Sequence, residues 1–127
     1  TQKKLINFCK QHDIAVTAYG PLGSPHRPWR DESSPVILED KTVKEIALVH
    51  QKFPAQILLR FAMQRDLIAL TRSTNIERIK QNGDIFDFHL TEDEMTALFK
   101  LNRNFRGMSY RAQWKHPDHP FREGIDG

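Results

Sequence analysis

The chain has one cysteine, two tryptophans and two tyrosines in 127 residues, and its apolar runs are only a few residues long. A lone Cys9 cannot close an internal disulfide, which excludes a disulfide-stapled scaffold and makes the reducing cytoplasm the expected compartment. The apolar runs fall far short of the ~20 residues that cross a bilayer, so no membrane association is expected. Thr1-Gln2-Lys3-Lys4 leads straight into Leu5-Ile6-Asn7-Phe8 with no small-residue cleavage site, which argues against a secretory signal. Internal repeats, low-complexity tracts and Gly/Ser linkers are all missing. Charge of one sign is scarce too. Nineteen basic residues face sixteen acidic ones, and the resulting +3 mildly favours anionic ligands. Without a nucleic-acid-binding module or interleaved stacking aromatics, nucleic acid is not an expected partner.

What is present is 39% hydrophobic and 28% charged, the balance of a soluble globular chain, and its length suits one domain rather than two. Leu5, Ile6, Phe8 and Cys9 fit one side of a helix over residues 2–11, where Cys9 is expected to pack rather than react. Residues 15–19, small and β-branched, predict a buried strand that Gly20-Pro21 ends. Four of the seven prolines lie between Gly20 and Asp40, so a long loop follows.

Helices are expected over 42–50, with Val43, Ile46, Ala47 and Val49 inward, and over 54–65, with Ile57, Leu58, Phe61 and Ala62 inward. Pro54 suits a first helical position. Phe53 before it has no capping oxygen, which should cost that end about 1 kcal/mol. Residues 67–71 predict a second short strand. Asn75 is the expected N-cap of a helix reaching about Asn82, with Gly83 its stop. Thr91 and Glu94 fit a reciprocal capping box opening a helix that carries Met95, Leu98 and Phe99.

Two strands separated by helices should be parallel and covered on both faces. Stable sheets need about three strands or more, so strands are missing, and the chain is expected to be part of a larger α/β fold or to need a partner.

A Ser/Thr/Asn cluster at the end of the second strand, flanked by Arg72 and Arg78 and opening a helix, has what a phosphate site needs. Free N–H groups and the positive helix end meet the anion, and a planar guanidinium grips two oxygens. Ser73, Thr74, Asn75 and Arg78 are therefore candidate ligands, with one alternative: Asn75 merely caps the helix and the arginines are solvated. Tyr19 either stacks on a planar ring at the sheet mouth or is a core tyrosine. His116 and His119 straddle Pro117 and have no evident third ligand, so a metal site is not expected. Glu92, Asp93 and Glu94 belong to a helix start, and no acid-base constellation stands out.

Several strings resemble the aldo-keto reductases, in particular the aldose/aldehyde reductase branch. They are Val16-Thr17-Ala18-Tyr19-Gly20-Pro21-Leu22-Gly23-Ser24-Pro25, Pro54-Ala55-Gln56-Ile57-Leu58-Leu59-Arg60-Phe61, Glu77-Arg78-Ile79 with Asn82, Ile85-Phe86-Asp87-Phe88, and Leu101-Asn102-Arg103-Asn104-Phe105-Arg106. The resemblance runs in order through nearly the whole chain.

It implies that residues 1–127 are the carboxyl-terminal part of an NADPH-dependent (β/α)8 TIM barrel about twice this length or more, with 15–19 and 67–71 as its last two strands. It implies that Tyr19 stacks beneath the nicotinamide and that Leu22 and Ser24 lie along the pyrophosphate. Ser73, Thr74, Asn75 and Arg78 would surround the adenosine 2′-phosphate, with Gln81 and Asn82 near the adenine and Arg72 also among the cofactor-binding residues. The tail 107–127, with Met108, Tyr110 and Trp114, would shape the pocket for a small carbonyl substrate, an aldehyde or ketone.

The family's catalytic tyrosine, lysine, aspartate and histidine belong to earlier strands, so this chain alone is expected to be inactive; the full-length enzyme is expected to be a monomer. Arg72 stands where the family usually has lysine and His26 where it has an acid, which implies a looser clasp over the cofactor. Gln81, Asn75 and Ile76 replace a usual glutamate, threonine and proline. The alternative from another class is a truncated, non-catalytic relative that binds an anion or a partner through its sheet edge.

Overall fold

Local capping chemistry starts most helices of the computed structural model, which describes residues 1–25, 28, 34–104 and 115–118. Asp40 accepts a hydrogen bond of 2.9 Å from the Thr42 N–H and opens α2 (Lys41–Val49). Asn75 does the same for the Arg78 N–H at 3.0 Å and opens α4 (Ile76–Gly83). At α5 (Glu92–Lys100) the expected box is complete. Thr91 Oγ1 accepts from the Glu94 N–H at 3.2 Å, and Glu94 Oε2 accepts from the Thr91 N–H at 2.7 Å.

α3 (Pro54–Met63) begins with the expected proline and without an oxygen from Phe53. The Gln56 side chain supplies the other half, accepting from the Phe53 N–H at 2.8 Å. α1 (Lys3–Gln11) is the remaining helix, and Ile37–Glu39 forms a single 3₁₀ turn in the long loop.

The core forms two clusters that share α3. Val43, Ile46, Ala47, Ile57, Leu58, Leu90 and Leu98 form the larger, joining α2, α3 and α5. Ile6, Ala62 and Leu67 form the smaller, with Val16 and Ala69 against it. Two burial expectations need correction. Val49 is 74% exposed. At 3.6 residues per turn, the stripe through positions 43, 46 and 47 continues at 50, and His50 is the half-buried residue there. On α1 only Ile6 is buried; Leu5 and Phe8 lie open and Cys9 is half-covered, because the small cluster is narrower than the helix's apolar side.

Gln56, Arg60 and Gln64 recur every four residues and so share one ridge of α3 and its end. They bind the backbone of the segment after α4. Gln56 Nε2 donates to the Asp84 carbonyl at 2.6 Å, and Arg60 Nη1 donates to the Ile85 carbonyl at 3.2 Å. Gln64 both accepts from the Leu90 N–H at 2.8 Å and donates to the Leu90 carbonyl at 3.0 Å. Gln56 is nearly fully buried, and these bonds leave neither end of its amide unsatisfied. Lys52 adds ion pairs of 2.8 Å to Asp84 and 2.7 Å to Asp87.

The two strands, β1 (Thr17–Ala18) and β2 (Ile68–Ala69), are parallel as expected, with Thr17 opposite Ile68 and Ala18 opposite Ala69. They are not buried on both faces. Side chains alternate across a strand, and Val16 and Ala69 turn toward the small cluster. On the other side Tyr19 is 86%, Leu70 64% and Ile68 50% exposed. The described helices cover one face only, which is the physical reason for the difference. Gly83 is also not the stop of α4 but its last helical residue, with Asp84 as the C-cap.

Among the described residues no helix is long and apolar enough to cross a membrane, and no cluster of three or more His, Cys, Asp or Glu could hold a metal.

Candidate functional site at the carboxyl ends of the two strands

Parallel strands in register deliver their following loops to the same edge of the sheet. Tyr19 and Leu70 each stand one residue beyond the pair Ala18–Ala69, so the segments after them leave from one place. The first segment is a tight turn in which the Gly23 N–H donates to the Gly20 carbonyl at 2.8 Å. Both glycines have positive φ, +60° and +76°. Added Cβ atoms would stand 2.9 Å from Ser24 Oγ at Gly20 and 3.0 Å from Ile37 Cγ2 at Gly23, so the turn demands glycine twice. Leu22 at its tip packs against the larger core cluster, fixing the turn to the helices.

The second segment builds the start of α4. Ser73 Oγ accepts from the Asn75 N–H at 3.1 Å, and Asn75 Oδ1 accepts from the Arg78 N–H, so Ser73, Asn75 and Arg78 lie within one hydrogen-bonded turn. Asn82 Nδ2 donates to Thr71 Oγ1 at 3.3 Å, which folds the far half of α4 back onto the end of β2. Arg72 and Arg78 are exposed, and neither guanidinium has a carboxylate partner among the described residues. Glu77 is engaged by Lys80 at 3.2 Å.

The positive end of α4 thus stands beside a serine and an asparagine whose oxygens are already committed, in a segment that also carries Arg72 and Arg78. That arrangement offers donors, not acceptors, and suits an anion.

Of the expected site residues, the structure brings Ser73, Asn75, Arg78, Asn82 and Arg72 together along β2 and α4. Thr74 is exposed among them and Gln81 half-buried. Tyr19 and Ser24 belong to the neighbouring strand end, and the exposure of Tyr19 overturns the core-tyrosine alternative. Leu22 serves the core at the turn. His26, Met108, Tyr110 and Trp114 lie outside the described residues.

Sequence reasoning missed Thr71, though a hydroxyl at a strand end beside a polar loop was a usable signal. It also missed the pair His50–Glu94, where His50 Nε2 approaches the two carboxylate oxygens at 2.9 and 3.0 Å. Burial works against the Glu94 carboxylate, and the hydrogen bonds from His50 and Thr91 outweigh it, leaving its pKa below the ordinary value. With both oxygens occupied, that pair is a junction between α2 and α5.

The chain is a member of the aldo/keto reductase family: the profile described as "Aldo/keto reductase family" matches residues 1–103. Among curated relatives, it is 44% identical over 124 residues to "Aldo-keto reductase family 1 member D1" of Oryctolagus cuniculus, covering 97% of this chain and 38% of the relative. It is 45% identical over 122 residues to "Aldo-keto reductase family 1 member C2" of Homo sapiens, covering 94% and 38%. It is 42% identical over 123 residues to "Prostaglandin F synthase 1" of Bos taurus, covering 96% and 38%. The chain thus spans 38% of the length of these relatives.

Proposed function

We propose that this chain is the cofactor-binding, carboxyl-terminal portion of an NADP(H)-dependent aldo-keto reductase barrel that reduces aldehydes or ketones to alcohols. The observation that carries the reading is the start of α4. There Arg72 and Arg78 stand without carboxylate partners beside the Ser73–Asn75 turn, at the edge where both parallel strands end.

Arg78 and Arg72 would grip the 2′-phosphate that separates NADPH from NADH, with Ser73, Thr74 and Asn75 lining it and Gln81 and Asn82 beside the adenine. Tyr19, already turned out of the core, would lie under the nicotinamide ring, and the Leu22–Ser24 turn would run along the pyrophosphate. When bound, NADPH supplies a hydride to the carbonyl carbon. This chain's contribution is to hold and orient, and the proton for the carbonyl oxygen would come from a part of the longer protein. The substrate would be a small carbonyl compound, and the full-length enzyme a cytoplasmic monomer.

A second reading, a short non-catalytic relative that docks a partner, is favoured by the open apolar side of the sheet at Tyr19, Ile68 and Leu70. The mass of the natural protein separates the two, since only the second is satisfied by 14.8 kDa.

Titration with NADPH and NADH, followed by nicotinamide fluorescence, tests the first reading. NADPH should bind more tightly, and Arg78→Ala should weaken NADPH roughly 10- to 100-fold while leaving NADH nearly unchanged, the loss of one charge-assisted contact. Equal affinity for the two dinucleotides would overturn it.

A further inference from the structure

At the opposite ends of the strands, Arg65 follows α3 and precedes β2. Its guanidinium carbon lies 5.0 Å from the centre of the Phe61 ring and 5.1 Å from that of Phe99, and those two rings meet edge to face at 5.0 Å. One N–H of the guanidinium goes to the Thr1 carbonyl, and it has no carboxylate partner among the described residues. It is half-buried, and that burial pushes its pKa down.

Arg65 and Phe99 together divide two depressions. The larger, about 550 Å³, is walled by Arg60, Met63, His89 and Met95; the smaller, about 200 Å³, by Lys3, Ile6 and Lys10. Two carboxylates line the larger one. Lys10 holds Asp66 at 2.5 Å, which leaves Glu92. With Lys10 and Asp66 paired, Arg60 and Arg65 face Glu92 in the larger depression, and Lys3 adds a further cation in the smaller. His89 adds a donor, because its Nδ1 accepts from Arg60 and its remaining N–H must therefore sit on Nε2.

We propose that Arg65 on its Phe61–Phe99 platform is the anchor of a binding site for an amphiphilic carboxylate, its head on the guanidinium and its short aliphatic tail along Met63 and Met95. A planar guanidinium pairs with both oxygens of a carboxylate, and ring faces preset its direction, so little rotamer freedom is lost on binding. Thioether and phenyl walls suit an alkyl tail. Arg60 gives one N–H from each of Nε, Nη1 and Nη2 to Gln64, the Ile85 carbonyl and His89, so its guanidinium is fixed in place beside the depression as a positive charge. This site lies at the far end of the strands from the proposed nucleotide site and does not depend on that reading.

The test is titration of the chain with octanoate, followed through the ¹³C-methyl NMR signals of Met63 and Met95. Both signals should shift and saturate with octanoate, and should stay in place with octylammonium. Arg65→Gln should weaken octanoate about tenfold or more, Arg65→Lys should retain part of the binding, and Arg78→Ala should leave it unchanged. Should Arg65→Gln fail to fold, Glu92→Gln serves instead, and it should tighten octanoate by removing the opposing charge. Unmoved methionine signals, equal shifts from octylammonium, or an Arg65→Gln or Glu92→Gln variant with unaltered affinity would each overturn the proposal.

Discussion

The helical half and the sheet half of this molecule are built to different standards. Around Val43, Ile57 and Leu98, three helices and the Leu90 segment close over one another, and the polar groups beside them are bonded. Around β1 and β2, one face is covered and the other presents Tyr19, Ile68 and Leu70 to solvent. A closed core stabilises itself, whereas an open sheet face is stabilised by whatever packs on it. The packed half holds the frame, and the open half carries the groups we propose for the cofactor.

The contrast is most easily broken at Ile57. It is fully buried, so Ile57→Ala should cost about 2–5 kcal/mol in chemical denaturation. A cost below 1 kcal/mol would mean that the helical half is no tighter than the sheet. Gln64→Ala comes next, at about 1–3 kcal/mol, because it strands the amide and carbonyl of the buried Leu90. Urea midpoints compared with Gln51→Ala, at an exposed position, would measure that term.

Thr91→Ala should cost about 1 kcal/mol by opening the α5 cap. The same junction sets the acid response. Glu94 has a lowered pKa in the fold, so its contribution is whole above the ordinary carboxylate value of 4.5 and is lost as pH falls through the folded value. Asp87, held down by Lys52, behaves likewise from 3.8. Thermal midpoints should therefore be level near neutrality and fall below about pH 4.5, and Glu94→Gln should flatten that fall. The smallest effect belongs to the open face, where Ile68→Ala should change stability by no more than about 0.5 kcal/mol. A larger loss in this isolated chain would show that the face is already covered.

These contrasts explain which parts of the structure were legible in the sequence. Caps are local, so Asn75, Thr91 and Glu94 announce helix starts within four residues of chain, and the observed starts agree with them, whereas the Asp40 cap of α2 emerged only from the structure. The Ser73–Arg78 cluster was legible for the same reason, since its members fall within one turn of a helix start. Burial is not local. Val49 was misplaced because only the stripe of α2 against α3 decides which side turns in, and the strands were expected to be covered on both faces because helices separate them and parallel strands are usually enclosed. The Gln56–Arg60–Gln64 ridge gave no sequence signal at all. Its partners are backbone atoms more than twenty residues downstream, and any sequence there presents the same carbonyls and amides.

That ridge has a consequence for the segment between its two anchorages. Residues 71–83 leave the sheet after β2 and return at Asp84, where Gln56 and Lys52 seize the chain. α4 buries none of its own residues, although it lies against α3, and the firmer of its two ends is the anchored segment that follows it. Local opening of α4 would therefore expose no core residue. Amide exchange in 76–83 should accordingly outrun that in α3 and α5 by orders of magnitude, with no change in the midpoint of global unfolding.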